Sequence, residues 1–244
     1  AWEAGVRFAA AYPGTPSTEI LDNISTYPEI HSEWAPNEKT ALESVIGASI
    51  AGARSLAAMQ HVGLNVAADP FFTFAYIGVN AGAVVITADE PGQFSSQNEQ
   101  DSRRYAEAAA APMFEPADSQ EAYDLLRLAF ETSERWQIPV IYRMTTRVCH
   151  SKTIVQPRPA PDAPPVPHFE RDVRSRLMIP AFARPAHRRL RAKRAESDAW
   201  NETAPLHRRT DGDPALGIIA AGVAYVHACE AAPEASLIKL GMAY

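Results

Sequence analysis

The chain has 244 residues, 46% of them hydrophobic, and a formal net charge of −6, which predicts a globular protein of one domain with an attachment or two modest domains. No apolar run is long enough to cross a membrane, and no secretion signal opens the chain. Two cysteines, Cys149 and Cys229, exclude a disulfide scaffold or a cysteine-ligated metal site. We therefore expect a cytoplasmic protein without membrane contacts and without a metal of its own.

Residues 1–148 alternate short apolar runs with longer amphipathic stretches, a pattern typical of an α/β fold with a mostly parallel sheet and helices on both faces. Six short segments are predicted strands: Val6–Ala11, His31–Trp34, Ser55–Gln60, Ala83–Ala88, Met113–Glu115 and Pro139–Met144. Apolar residues at helical spacing predict helices over Glu38–Ala53 and Ser119–Arg135. Pro16 and Glu19 predict a further helix that begins at Thr15.

The second part of the chain begins with a linker. Six of the twelve residues in 156–167 are proline, so we expect a stiff linker and an end to the first domain near residue 150. Residues 168–209 hold eleven Lys or Arg against five Asp or Glu, a net of +6 that leaves −12 for the remainder. Because apolar residues are interleaved with the arginines, an arm that crosses an acidic body is favoured over a nucleic-acid site. An exposed helix is predicted over Arg188–Trp200.

The last residues predict a new strand–helix–strand unit, with strands at Leu216–Ala220 and Leu237–Leu240 and a helix at Val223–Ala232. We expect the last strand to lack a partner, and therefore expect the chain to be a fragment, cut at both ends. The predicted organisation is a domain over 1–150, a proline-rich linker and basic arm over 151–213, and the beginning of a truncated second α/β domain over 214–244.

Four polar segments lie at or near the carboxyl ends of predicted strands, the usual ligand side of an open parallel sheet. They are the Tyr12–Glu19 turn, the helix start at Glu38, His61, and the Asp89–Asp101 loop. Each has a structural alternative: helix capping for the turn, complementing a helix dipole for Glu38, a hydrogen-bonded core residue for His61, and a solvated loop. The residues alone support an α/β domain with polar segments on the ligand side of its sheet.

Five segments in register resemble the thiamin-diphosphate-dependent 2-oxoacid:ferredoxin oxidoreductases, in particular the indolepyruvate:ferredoxin oxidoreductase alpha subunit: Tyr12–Ile20, Asn37–Lys39, Gly47–Arg54, His61–Pro70 and Ser95–Asp101. The resemblance implies oxidative decarboxylation of indolepyruvate or related aryl 2-oxoacids to aryl-acetyl-coenzyme A, with ferredoxin as electron acceptor. It implies that residues 1–150 bind the aminopyrimidine half of the cofactor. An oxidoreductase for pyruvate, branched-chain acids or 2-oxoglutarate, and a non-catalytic stand-alone domain, stay open as alternatives.

The resemblance also implies roles for single residues. Glu38 would hydrogen-bond the pyrimidine N1′ atom and, with Thr15, be catalytic, and Thr15 would also face the substrate. Pro13, Gly14 and His61 would join Glu38 in binding the cofactor. The Asp89–Asp101 loop would bind substrate through four residues: Gln93, Ser95, Ser96 and Gln97.

Mg²⁺ and the 4Fe-4S clusters would be held outside this chain, which is expected to be inactive alone. The implied partners are the missing diphosphate-binding and ferredoxin-like portion, a beta subunit or a fused equivalent, ferredoxin and coenzyme A, within a homodimer or hetero-oligomer.

Overall fold

The computed structural model describes residues 1–159 and 166–244. The predicted α/β class is confirmed, because a six-stranded parallel sheet forms the centre of the molecule. Its strands are β1 (Phe8–Ala11), β2 (His31–Trp34), β3 (Ser55–Gln60), β4 (Ala83–Asp89), β5 (Met113–Phe114) and β6 (Val140–Thr145). They lie in the order β2-β1-β3-β4-β6-β5. Part of the predicted linker, residues 160–165, lies outside the described residues.

Seven helices connect and cover these strands: α1 (Thr18–Ile24), α2 (Glu38–Ile50), α3 (His61–Val66), α4 (Ala68–Ile77), α5 (Arg103–Ala109), α6 (Ser119–Trp136) and α7 (Thr146–His150). Side-chain caps fix two of the starts, since Asn37 accepts from the Thr40 N–H and Asp118 from the Glu121 N–H, each at 2.9 Å. Both faces of the sheet are apolar: Ala57 and Met59 of β3 join one buried cluster, and Leu56 and Ala58 join the other.

Beyond the linker lie α8 (Val173–Arg176) and α9 (Pro180–Asn201), and α9 starts earlier than the predicted helix, with a proline in its first turn. The basic arm crosses the main domain as predicted, with Leu190 buried and Trp200 against Trp136, ring centroids 5.1 Å apart. The expected acidic body is not what holds it. Among the described residues, Arg208 is the arm side chain that pairs with an acid of that domain, Glu121. The arm's other hydrogen bonds to that domain go to backbone carbonyls and to the side-chain oxygen of Asn80.

The last residues form a small sheet from β7 (Arg208–Thr210), β8 (Asp213–Ala221) and β9 (Ala235–Leu240), with α10 (Val223–Ala231) between the last two strands. The expectation that the last strand lacks a partner is wrong, because β9 is central, antiparallel to β7 and parallel to β8. The chain then returns to the main sheet, where the Met113 N–H donates to Tyr244 O at 3.0 Å. The division at residues 150 and 213 stays a prediction.

Candidate functional site

The four predicted segments do converge at one edge of the main sheet. The chain leaves β1 toward β2 on one side and returns to β3 on the other, so the carboxyl ends of β1 and β3 form the switch point where ligands bind in such sheets. The turn after β1, the residues after β3, the loop after β4 and the amino end of α2 all lie at this edge. We call this edge the mouth.

Glu38 is a buried carboxylic acid at the mouth, with 8% of its surface exposed. It is the first residue of α2, directly after the Asn37 cap. Its carboxyl group makes no hydrogen bond or ion pair with any residue that the structure describes. Gly63 of α3 packs against it so closely that a Cβ there would lie 2.7 Å from Glu38 Oε1. The side chain is therefore held in place by backbone while its carboxyl group stays available to a ligand.

The turn after β1 differs from its prediction. The helix begins at Thr18 rather than Thr15, because the Ser17 hydroxyl and the Ser17 N–H both donate to Gly14 O at 2.8 Å and close a turn. The N–H of Gly14, a residue predicted to bind the cofactor, donates to Thr18 Oγ1 at 2.9 Å. Pro13 and Thr15 are exposed, so the Thr15 hydroxyl is the ligand group that this turn offers.

Gln60 and His61 connect the turn to the loop. A Cβ on Gly14 would overlap the Gln60 side-chain oxygen, and Gln60 Nε2 donates to Ser96 Oγ at 3.3 Å. The ring of His61 is fully buried, and its Nε2 lies 2.9 Å from Asn98 O. Its Nδ1 is also buried and has no partner among the described residues. His61 thus fixes the loop with one nitrogen and leaves the other unsatisfied.

The loop after β4 is folded around one carboxylate. Glu90 is buried and accepts from the Ser95 N–H and hydroxyl, each at 3.1 Å, and from the Ser96 N–H at 2.8 Å. Desolvation alone would raise the pKa of Glu90, but the hydrogen bonds from Ser96 and Ser95 outweigh it and lower that pKa below its ordinary value. Of the four residues predicted to bind substrate, Gln93 and Gln97 are exposed, with Gln93 Nε2 donating to Ser96 O at 3.3 Å. The hydroxyls of Ser95 and Ser96 are engaged within the protein.

A buried ionic network, which the sequence reading missed, anchors the end of this loop. Asp89, the last residue of β4, accepts from the Ser102 N–H at 3.0 Å and from Arg143 Nε at 2.7 Å. Arg143 also pairs with Glu115 at 2.5 Å, and all three charged side chains are at most 6% exposed. A Cβ on Gly222 of the terminal unit would overlap Glu115, so that unit packs directly on the network. Asp89 therefore connects the end of the loop, at Ser102, to the buried pair of Arg143 and Glu115.

Other features do not add to the site. Burial raises the pKa of Cys149 to about 12, with a further contribution from Glu19, so its thiol stays protonated at neutral pH. A cavity of about 490 Å³ between α6 and residues 205–208 contains none of the mouth residues. No cluster of three metal-ligating side chains occurs within 1–159 or 166–244, and no helix in those ranges is long and apolar enough to span a bilayer.

Comparisons with known proteins agree with the resemblance. The chain is 42% identical to the indolepyruvate oxidoreductase subunit IorA of Methanothermobacter thermautotrophicus, over 99% of this chain and 41% of the relative. It is 40% identical to the protein of the same name from Archaeoglobus fulgidus, over 96% of this chain and 39% of the relative. The 2-oxoglutarate synthase subunit KorA of Methanocaldococcus jannaschii is 28% identical, over 62% of this chain and 43% of the relative. The chain thus spans about two fifths of the length of these relatives.

A solved structure shares the fold. The 2-oxoglutarate:ferredoxin oxidoreductase from Magnetococcus marinus, with 2-oxoglutarate, coenzyme A and succinyl-CoA bound, superposes with a TM-score of 0.76 at 17% identity, over 100% of this chain and 52% of that one. The family model described as pyruvate flavodoxin/ferredoxin oxidoreductase, thiamine diphosphate-binding, matches residues 1–204. This chain therefore belongs to the pyruvate flavodoxin/ferredoxin oxidoreductase family and carries the family's thiamine diphosphate-binding domain.

Proposed function

We propose that the chain is the aminopyrimidine-binding part of an indolepyruvate:ferredoxin oxidoreductase, which converts indolepyruvate or related aryl 2-oxoacids to aryl-acetyl-coenzyme A. The observation that carries the proposal is the buried, unpaired Glu38 at the switch point of a domain from this family. The relatives named for indolepyruvate, at 42% and 40% identity, favour this substrate over 2-oxoglutarate, for which the named relative is 28% identical.

The residues at the mouth fit a planar nitrogen heterocycle. Such a ring needs an acid at its edge, and Glu38 supplies a carboxyl group that no other described residue uses. Gly14 and Gly63 let the side chains of Gln60 and Glu38 pack directly against the backbone, which keeps both side chains at fixed positions at the mouth. The unpartnered His61 Nδ1 is a further polar group without a protein partner.

Glu38 would act as the proton-sharing residue. When bound, thiamin diphosphate would supply the nucleophilic carbon and the electron sink that decarboxylation of a 2-oxoacid requires. The Glu38 carboxyl would hold a proton against ring nitrogen N1′, and burial strengthens that hydrogen bond because water does not compete for it. Its contact with Gly63 keeps the carboxyl oxygen at one position, so the proton is shared along a fixed direction.

Thr15 and the loop would handle the substrate. The exposed Thr15 hydroxyl would donate to a substrate carboxylate or carbonyl oxygen. The exposed side chains of Gln93 and Gln97 would contact the substrate directly. Ser95 and Ser96, with hydroxyls already engaged, would shape the loop around it. Mg²⁺, the 4Fe-4S clusters, and the ferredoxin and coenzyme A sites would belong to the remainder of the protein and its partner subunit.

The test uses the full-length protein assembled with its partner. Reduction of ferredoxin is measured with indolepyruvate, pyruvate and 2-oxoglutarate, and thiamin diphosphate with Mg²⁺ is titrated by calorimetry. Glu38→Gln is expected to lower the turnover rate roughly 100-fold or more, the usual range for a proton-transfer group. Glu134→Gln is the matched control, because it alters a carboxylate at the opposite end of the strands. Near-normal turnover by Glu38→Gln would contradict the assignment, and a preference for 2-oxoglutarate would favour that substrate.

A further inference from the structure

The basic arm docks on the carbonyl ends of helices. Arg176 Nη1 donates to Ile77 O at 2.9 Å and to Gly78 O at 3.2 Å, at the end of α4. Lys193 Nζ donates to Gln137 O at 3.0 Å, at the end of α6. The last carbonyls of a helix have no partner within it and carry a partial negative charge, so these contacts stabilise both the helix ends and the arm.

A polar cavity of about 190 Å³ lies between the arm and these helix ends. Three cationic side chains line it, from Arg176, Arg189 and Lys193, and the acid that lines it is Asp172. Ligand pockets for drug-sized molecules measure roughly 300–1,000 Å³, so this cavity suits a small ligand. Its lining is that of a small anion site.

The cations that line this cavity exceed the negative charge that lines it. Each helix end is equivalent to about −0.5 of a charge, so two helix ends and Asp172 offset about two of the three positive charges in the lining. Arg189 and Lys193 also stand four residues apart on α9, a spacing at which like charges destabilise a helix.

Two of the cationic side chains have unused or weakened proton donors. The Arg176 Nε atom is buried and has no acceptor among the described residues. Desolvation lowers the pKa of Lys193, repulsion from Arg189 and Arg176 lowers that pKa further, and Glu196 partly offsets them by raising it. A bound anion would relieve the repulsion among the three cations.

We infer that this cavity binds a small phosphorylated anion, with Arg189 and Lys193 as its ligands and the charge of Arg176 beside them. A phosphoryl group matches the site because its oxygens accept several charge-assisted hydrogen bonds at once from guanidinium and ammonium groups. The site lies between the arm and the carboxyl ends of α4 and α6, and it shares no lining residue with the mouth. The inferred anion site does not depend on the function proposed for the mouth.

The experiment is calorimetric titration of inorganic pyrophosphate into the full-length protein, at low ionic strength and without added Mg²⁺. Arg189→Gln is expected to weaken binding at least about 10-fold, through loss of a charge-assisted contact. Arg188→Gln makes the same charge change at the neighbouring exposed position of α9, which does not line the cavity, and is expected to weaken binding less than about twofold. Neither the Arg188 nor the Arg189 side chain makes a hydrogen bond or ion pair with the described residues, so neither variant should melt at a lower temperature than the wild type.

Absence of pyrophosphate binding would overturn the inference, as would equal weakening by the two variants, which would indicate only surface charge. Binding that persists unchanged in Arg189→Gln would place the anion elsewhere, including at a cofactor diphosphate site, and would also overturn it. A parallel titration with glycerol 3-phosphate compares a phosphate ester with a free anion. Tighter binding of either compound, lost in Arg189→Gln, supports the site and identifies the form of phosphate that it takes.

Discussion

The two ends of the main sheet treat their polar groups differently. At the amino end, Arg54 binds both carboxyl oxygens of Glu134 at 2.7 and 2.6 Å, and the Gly82 N–H donates to the same carboxylate at 3.1 Å. At the carboxyl end, the buried His61 Nδ1 has no partner in the described part of the chain, and the carboxyl group of the mostly buried Glu38 makes no hydrogen bond there. The amino end is thus built for stability.

The carboxyl end tolerates unsatisfied groups only because other residues hold it rigid. An unpaired buried polar group costs about 1–3 kcal/mol, and such exceptions in native proteins concentrate at functional sites. The network of Asp89, Arg143 and Glu115, together with the Glu90 contacts, keeps the surrounding loop in place. The mouth therefore carries polar groups without protein partners on a fixed frame of buried ionic contacts, and both parts of that statement can be tested.

The largest expected effect is the loss of stability when the buried network of Asp89, Arg143 and Glu115 is broken. Arg143→Met leaves the Asp89 and Glu115 carboxylates buried without their cation, and should lower the free energy of unfolding by about 3–5 kcal/mol. Arg54→Met at the amino end should lower it less, because the Glu134 side chain is 34% exposed and remains partly hydrated. Urea unfolding of both variants measures the difference. Equal losses would show that burial does not distinguish the two ends.

Gly63→Ala should have the next largest effect, on rate. The new Cβ would collide with Glu38, and a displacement of about 1 Å at a reacting group can lower the rate roughly 100-fold. Gly47→Ala is the matched control, since it is also a helical glycine and its Cβ would meet nothing within 4 Å. That control should be more stable by about 0.5–1 kcal/mol and keep its rate. Steady-state turnover of the assembled enzyme separates them, and a normal rate for Gly63→Ala would argue against Glu38.

Much of the fold was predictable because its strands are apolar runs between polar turns. The bounds of Ser55–Gln60 and His31–Trp34 agree with the prediction. The helices α3 and α4 were not predicted, since residues 61–77 are apolar on nearly every side and show no helical period. Strand β7 was missed because Arg208–Thr210 is polar, and without it the last strand seemed unpaired.

The site was only partly predictable. Parallel strands place their carboxyl ends at one edge, and this rule brought Glu38, Thr15 and His61 together with the loop from sequence alone. Gln60, Arg143 and Glu115 were missed, because their roles arise from contacts between residues distant in the chain. Glycines mark two of the close contacts at the mouth, since a Cβ on Gly14 would collide with Gln60 and a Cβ on Gly63 with Glu38, but their packing role becomes visible only in the structure.

Gln60→Leu should produce a smaller change in substrate affinity. It removes the donor to Ser96 and the amide that packs on Gly14, and a neutral hydrogen bond contributes about 0.5–1.5 kcal/mol, or roughly 2- to 12-fold in KM. Gln120→Leu, on α6 away from the mouth, should leave KM unchanged. Gln97→Ala provides a second comparison, because this exposed residue is predicted to contact substrate directly. If only Gln97→Ala raises KM, Gln60 has no part in holding the loop.

The smallest expected effect is an acid response of the loop. The pKa of Glu90 is lowered from its ordinary 4.5, since the hydrogen bonds from Ser96 and Ser95 outweigh desolvation. A carboxylate with a depressed folded-state pKa stabilises the loop above pH 4.5, and this contribution is lost as the pH falls through the folded value. Hydrogen exchange of the Ser96 amide, corrected for its intrinsic rate, should therefore accelerate only below about pH 4.5. Glu90→Gln should give weaker protection with no such pH dependence, and a wild-type transition retained in that variant would assign it to another carboxylate.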